Sequence, residues 1–359
     1  LAQEVSKVKI ADIFRYLPKG THSFLVSNLK NIHYLTGFSG DWAFLVLSKK
    51  GMKLYTDSRF TEQAEKETRD CRIITITKPF ATYLKSAAGK GKTIAFESSD
   101  LRYAQYRTLH KLLQHRKLVP TTGIIERFRM IKTKGEIEKI RKAAGIADTA
   151  FRKICGFIKT GRSELEVAAE LENILRKHGS AGHPFPTIAI TSVNTSLPHG
   201  QPGTRKIKKG DLFLIDFGAT YQGYCSDITR TVVMGKPNRK QEQIYRIVLR
   251  AQRAAIASIN VGKPLKDVDK TARDIIAEAG YGKNFGHGLG HGIGLDVHEA
   301  PGVSFRSKEK VTEGMVFTVE PGIYLPRWGG VRIEDDVAIL KGKVTVLTKS
   351  PKLELKIIS

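Results

Sequence analysis

The chain has 359 residues, 41% of them hydrophobic, and carries 60 Lys/Arg against 35 Asp/Glu, a formal charge of +25. That length exceeds one ordinary core and suits two domains. No apolar run is long enough to span a bilayer, and three scattered cysteines (Cys71, Cys155, Cys225) without CxxC spacing argue against a disulfide framework.

In chain order, LAQEVSKVKIADIF opens without an apolar core or a cleavage-site pattern, so nothing points to export, and with the sparse cysteines a cytoplasmic protein is expected. WAFLVLSKKGMKLYT (42–56) reads as a hairpin around Lys-Lys-Gly, and RIITI (72–76) and TIAFE (93–97) as further strands. TEQAEKE (61–67) and RYAQYRTLHKLL (102–113) read as helices, so residues 1–126 form a small α/β domain. It holds no cluster of candidate ligands and is expected to serve structure or assembly. LVPTTGIIERFRMIK (118–132) marks the boundary with the second domain, 127–359.

Thr133-x-x-Glu136 and Ser163-x-x-Glu166 are capping boxes, opening helices that run to about Lys159 and to near Gly179. Residues 238–260 and 264–279 give two more, the latter with Pro264 in its first turn and Gly280 just past its end. The strand-rich stretches between and after them hold the interesting polar residues, so this domain reads as α+β, helices on a largely antiparallel sheet.

The excess positive charge raises nucleic-acid binding as a possibility. It is spread along the chain, however: 21 Lys/Arg against 11 Asp/Glu in 1–126, and 39 against 24 in 127–359. With no basic tail or arginine-rich arm, a solvated basic surface is the better reading. Such a surface is also compatible with a thermophilic source.

DLFLIDFGATYQGYCSDITRTVVM (211–234) contains two β-rich runs. If they turn around Tyr221 and Gln222, Asp216 and Asp227 stand directly opposite on one face, where like charges repel unless a cation compensates. Tyr-Gln is a poor two-residue turn, so a looser loop is expected. The figure recurs downstream: Glu320 ends MVFTVE, Glu334 lies in GGVRIEDD, and Arg332 shares the face of Glu334. Each acid follows apolar strand residues, where an unpaired charge is costly. Four such carboxylates need about two divalent cations. With an imidazole they suit Mn, Co, Fe or Zn, and a two-metal centre activates a bridging water to hydroxide and polarises a carbonyl. Metal-assisted hydrolysis is the expected reaction class.

GHGLGHGIGLDVHE (286–299) is neither a dinucleotide fingerprint nor a phosphate loop, because its glycines fall on every even position. His287 and His291 have the i, i+4 spacing of a zinc helix, but alternating glycine opposes helix. The period of two predicts an extended chain with one bare face, letting other backbone approach closely. His291, the most enclosed by glycine, is the best candidate ligand. One of the other histidines could be merely structural.

At these residues the chain resembles the pita-bread metallopeptidases that cleave at Xaa-Pro bonds, aminopeptidase P and prolidase. The match is Asp216 in LIDFGA, Asp227 in YCSDITRT, His291 in GHGIGLDVHEAP, Glu320 in TVEPGIY and Glu334 in GVRIEDD, with FRMIKTKGEIEKIRKAA (128–144) similar to the family's opening helix. It covers 127–350, and residues 1–126 are similar in size and pattern to a creatinase-type domain. The resemblance implies a pita-bread catalytic domain, those five residues as ligands of two metal ions (manganese first, then Co, Zn or Fe), and a homodimer. It implies that His199 and His298 bind substrate and stabilise the tetrahedral intermediate, and that Glu320 also shuttles a proton. His287 then lines the site near the proline, while Tyr324 and Arg332 hold the carboxylates.

Two departures stand out. Prolidases usually carry an Arg soon after His-Glu, whereas here HEAPG places Gly302 there. With no fixed cation demanding a free carboxylate, the reading favours an Xaa-Pro aminopeptidase acting on peptides with proline second, with Xaa-Pro dipeptidase (prolidase) as the alternative. AGHP before FPTI also differs from an acidic version often seen there. Methionine aminopeptidase fits the two-domain length poorly. Creatinase, or a metal-free binding module with a basic surface, fits poorly with five retained ligands.

Overall fold

The computed structural model describes residues 8–87 and 91–358; the first seven residues of the opening segment lie outside it. The chain forms two compact units, Leu1–Arg129 and Met130–Ser359.

In the first unit one mixed sheet runs in the order Cys71–Thr75, Gly51–Thr56, Phe44–Ser48, Ser23–Val26, Thr93–Glu97, Lys117–Thr121. The expected hairpin forms, Phe44 pairing with Tyr55 and Ser48 with Gly51 around Lys49-Lys50. Helices Thr61–Glu67 and Tyr103–Leu112 match their patterns. Two strands differ from the sequence reading. Ser23–Val26 is buried at every position and so lacks the alternation that marks a half-buried strand. The expected boundary stretch begins as a strand, Lys117–Thr121, in which Pro120 is tolerated because that strand is a sheet edge.

In the second unit two layers repeat the same construction. The long helix Lys134–Phe157 and Glu164–Lys177 each open on their capping boxes. They share a core with the four-stranded sheet Lys356–Ile358, Ile228–Met234, Leu212–Phe217, Ile188–Thr191, where Ala147, Phe151 and Leu171 meet Phe213, Ile215 and Val232. Helices Arg239–Ala257 and Leu265–Glu278 share another with the five-stranded sheet Glu299–Val303, Gly290–Gly292, Val316–Val319, Asp335–Leu340, Lys343–Val346. A separate hairpin pairs Gly322–Leu325 with Gly329–Arg332. No described helix is long and apolar enough to cross a membrane.

Candidate active site

The first pair of acids sits two residues away from the expected register. Tyr221 pairs with Tyr224, so the turn is Gln222-Gly223, with φ of 48° and 83°. Both central residues have the positive φ of a type I′ turn, and Gly223 supplies the second at no steric cost. The ladder then sets Asp216 opposite Thr229, and Asp227 lies before the strand Ile228–Met234 begins. The two acids are therefore diagonal neighbours on one face and not directly opposed.

The second pair sits in an interruption. Val316–Val319 pairs with Asp335–Leu340, and Gly322–Leu325 pairs with Gly329–Arg332 in the same register. Glu320 and Glu334 occupy the gap between these ladders, across from one another.

The histidine arrives on the glycine strand. Gly290–Gly292 runs between Glu299–Val303 and Val316–Val319. A Cβ on Gly290 would lie 2.0 Å from the Thr318 carbonyl oxygen, and one on Gly292 would lie 2.3 Å from that of Ala300. The bare face expected from the alternation is thus pressed on neighbouring backbone, while Leu289 and Ile293 on the other face are buried in the protein. His291 Nδ1 lies 3.2 Å from the Gly292 carbonyl, which fixes the proton on Nδ1. The lone pair of Nε2 then faces Glu320 Oε1 at 3.4 Å and Asp227 Oδ2 at 3.7 Å.

An imidazole lone pair pointed at two carboxylates fits a cation between them. The carboxylates carry the same sign: the buried Oδ1 atoms of Asp216 and Asp227 have no hydrogen-bond partner among the described residues. The donor atoms of His291, Glu320 and Glu334 lie within 4.8 Å of one another, and so do those of Asp216, Asp227 and Glu334. Burial, then mutual repulsion, raises the pKa of Asp227 and Glu334 well above the carboxylate range. Burial pushes Glu320 up to about 8, against the pull of Arg332. Burial holds His291 down at about 4, so it is neutral and free to ligate. These residues fit divalent metal.

Around this cluster runs a hydrogen-bonded chain. Arg332 donates to Asp216 Oδ2 at 2.5 Å, to the Tyr324 hydroxyl at 2.7 Å and to Thr229 Oγ1 at 3.0 Å. Burial opposes its charge, but Tyr324, Asp216, Glu320 and Glu334 outweigh that and keep it a fixed cation. Burial pushes the Tyr324 hydroxyl up to about 12, so it stays a donor, 3.0 Å from His287 Nε2. His287 is in turn held at about 4, by burial first and then by Arg332. His298 stacks edge-on against His291, ring centroids 4.3 Å apart. Desolvation lowers its pKa, against the attraction of Asp216.

All five expected ligands, with His199, His287, His298 and Arg332, line one cavity of about 370 Å³. Phe185, Pro186, Ile188 and Pro198 form its apolar wall. Tyr324 stands behind that lining, reaching the cavity through His287 and Arg332. Gly302 lies just outside, directly opposite His291 on the neighbouring strand.

Several functional neighbours escaped the sequence reading. The Thr229 hydroxyl, besides accepting from Arg332, donates to Glu334 Oε2 at 2.6 Å. Thr318 Oγ1 accepts from the His291 amide and donates to Glu320 Oε1. Asp336 accepts from the Asp227 amide at 3.0 Å. Strand parity puts Thr229 and Thr318 on the faces of Asp227 and Glu320, two residues away in each case, which is the signal that would have found them. Lys132, in the basic connector, forms a buried pair with Glu299, next to His298, at 2.8 Å.

Comparison with known proteins bears on this constellation. Residues 138–341 match the model of metallopeptidase family M24, and residues 18–131 match the creatinase/prolidase N-terminal domain. An Xaa-Pro dipeptidase from Pyrococcus horikoshii is 38% identical, the match covering 97% of this chain and 99% of the relative. The solved structure of an Xaa-Pro dipeptidase from Bacillus anthracis is 40% identical with a TM-score of 0.93, over 97% of this chain and 98% of that one. An X-Pro aminopeptidase from Thermotoga maritima is 39% identical with a TM-score of 0.89, over 96% and 99%.

Proposed function

The chain belongs to metallopeptidase family M24, and from that premise we propose that it is a metal-dependent hydrolase of Xaa-Pro bonds acting foremost on free Xaa-Pro dipeptides. The observation that carries the reading is the meeting of Asp216, Asp227, His291, Glu320 and Glu334 in one small, partly apolar cavity. The choice of dipeptides follows the relatives: those named for that activity match this chain over nearly their whole length. It reverses the preference for an aminopeptidase drawn from Gly302 alone. Xaa-Pro aminopeptidase remains the second reading, supported by that glycine and by the similar Thermotoga enzyme.

The five residues would hold two divalent ions, manganese first, with Co, Zn or Fe as other candidates. When bound, such ions supply Lewis acidity, polarising the scissile carbonyl and lowering the pKa of water. The chain's own groups do the rest. Phe185, Pro186, Ile188 and Pro198 offer the prolyl ring an apolar wall that keeps water from its far side. His199 and His298 supply imidazole N–H donors to the oxyanion as it develops. Glu320 has Oε1 engaged by Thr318 and carries the proton at Oε2. Arg332 offsets the packed negative charge, and through Tyr324 fixes His287 beside the proline site.

The first unit carries no part of this cluster, and its proposed role is assembly of a homodimer. A peptide panel tests the whole reading: Ala-Pro, Ala-Pro-Ala and Met-Ala-Ala, with Mn, Co and Zn added in turn. Cleavage of Ala-Pro at a higher kcat/KM than Ala-Pro-Ala is expected. The reverse order establishes the aminopeptidase, and metal-loaded protein that cleaves neither proline peptide defeats both.

A further inference from the structure

The histidine side chains of GHGLGHG enter the site, while its backbone is held by a pair of residues outside the cavity. Asp269 and Arg273 stand one turn apart on the helix Leu265–Glu278 and form a two-pronged ion pair, Nε to Oδ2 at 2.9 Å and Nη2 to Oδ1 at 2.8 Å. Asp269 is fully buried. Both partners also reach past each other to residues 285–289, the segment that leads into the strand Gly290–Gly292. Arg273 donates to the Phe285 carbonyl at 3.0 Å and to the His287 carbonyl at 2.8 Å. Asp269 Oδ1 accepts from the Leu289 amide at 3.0 Å. The guanidinium is seated over the Phe285 ring at 4.3 Å, with Phe305 at 5.7 Å on its other contact.

Three successive odd positions, 285, 287 and 289, are therefore fixed from one helix. Their setting passes directly into the site. The Leu289 carbonyl accepts from the Glu320 amide at 2.8 Å, so the acid that fixes Leu289 also fixes the backbone of Glu320. His287 carries its ring from the same clamped residue whose carbonyl meets Arg273. An ordinary helix-surface ion pair has no reason to be buried at one end or to spend three hydrogen bonds on the glycine-rich segment that leads into the strand Gly290–Gly292. Phe285 and Leu289 pack into the core, but Gly286, Gly288 and Gly290 beside them carry no side chain to restrain the backbone in between. Such backbone loses most entropy on ordering and needs external restraint.

We propose that Asp269 and Arg273 are positioning residues for the reaction: from their helix they set the backbone of 285–289 and thereby aim His287 and Glu320 into the cavity. This deepens the metallopeptidase reading and rests on it for the consequence, though not for the clamp itself.

The test uses the full-length, manganese-loaded protein with Arg273→Lys, Arg273→Met and Asp269→Asn. Hydrogen exchange of the peptide spanning 285–291 reads the clamp independently of any substrate. In Arg273→Met, exchange there is expected to quicken by roughly tenfold or more while the rest of the sheet keeps its rate. The Mn dissociation constant and kcat are each expected to worsen by about 10–100-fold, with KM for Ala-Pro moving far less. Arg273→Lys, which keeps a charge for Asp269 but not the planar fork, falls between. If Arg273→Met does not fold, Arg273→Lys decides by the same measurements. Wild-type exchange at 285–291, or exchange rising evenly over the whole protein with kcat per folded molecule unchanged, overturns the proposal. A wild-type enzyme inactive on every proline peptide sinks the functional reading, and exchange and Mn titration still decide the clamp.

Discussion

Arg332 donates to Asp216 across 116 positions of sequence, from the hairpin Gly329–Arg332 to the strand Leu212–Phe217 of a different sheet. The same guanidinium serves Tyr324 and Thr229, so one fixed cation ties three strands to the carboxylate cluster. Arg332→Met removes it and leaves buried acids facing each other, a loss of about 3–5 kcal/mol in stability by analogy with broken buried pairs. Arg332→Lys keeps the charge and loses the fork, so kcat/KM is expected to fall by roughly 10–100-fold with a smaller stability loss. Thermal melts beside steady-state kinetics check both. A lysine variant equal to wild type in each shows that charge alone matters.

Metal binding and pH are coupled with a definite sign. Glu320 is raised to about 8 without metal, and Asp227 and Glu334 are raised with it. The folded metal-free protein therefore binds more protons than the unfolded chain between the ordinary carboxylate range and about pH 8. Its stability falls as pH rises through that window. The histidines act oppositely but lower down: His287 and His291, held near 4, cost stability as pH falls from the usual imidazole range toward 4. Divalent ions replace the carboxyl protons, so the gain in melting temperature on adding Mn to chelator-treated protein should grow from pH 6 to pH 8. A gain that is flat or shrinks over that range contradicts a carboxylate-rich site.

How much of this was legible in the sequence depends on range. Helices with capping boxes and the Lys49-Lys50 hairpin follow from local rules, and they form where those rules put them. The alternating glycines announced close packing, which Gly290 against Thr318 bears out. The turn after Asp216 was misplaced by one residue because Gln222 takes positive φ, a conformation its side chain does not advertise. Moving the turn by one residue moves the pairing by two, from Asp227 to Thr229 opposite Asp216, which preserves strand parity, so the acids still share a face although their neighbours change. Asp269 and Arg273 were invisible for a different reason. On one helix they read as an ordinary i, i+4 pair, and only the folded chain brings them to the carbonyls of Phe285 and His287.

His298 offers a cleaner test of chemistry than any ligand, since it is exposed enough to be replaced without disturbing a core. If its N–H serves the developing oxyanion, His298→Ala should lower kcat by about 10²–10³-fold, the usual cost of one such donor. Its melting temperature and Mn affinity should stay near wild type. Because its donor atom also lies within 4.8 Å of those of Asp227 and His291, the opposite result is informative. Loss of Mn affinity in step with kcat makes it a ligand and not an oxyanion donor.

Gly302 is where dipeptidase and aminopeptidase can be told apart within this chain. It pairs directly with His291, so a side chain placed there leaves the strand on the same face as the imidazole, toward the cavity. A Cβ at this position meets nothing within 4 Å, and the residue is exposed, so even an arginine enters without a clash at its base. Gly302→Arg adds a fixed cation near the substrate's far end. On the proposed dipeptidase reading, which puts the carboxylate of Ala-Pro on this side of the cavity, it should lower KM for Ala-Pro by roughly tenfold, the worth of one charge-assisted hydrogen bond of about 1.5 kcal/mol. Ala-Pro-Ala, with its carboxylate one residue further out, should gain little or lose through crowding. Steady-state kinetics on the two peptides, in wild type and variant, give the comparison directly. If both gain equally, the arginine acts only as a general attractor, and the preference between dipeptide and longer substrate is set by the cavity wall instead.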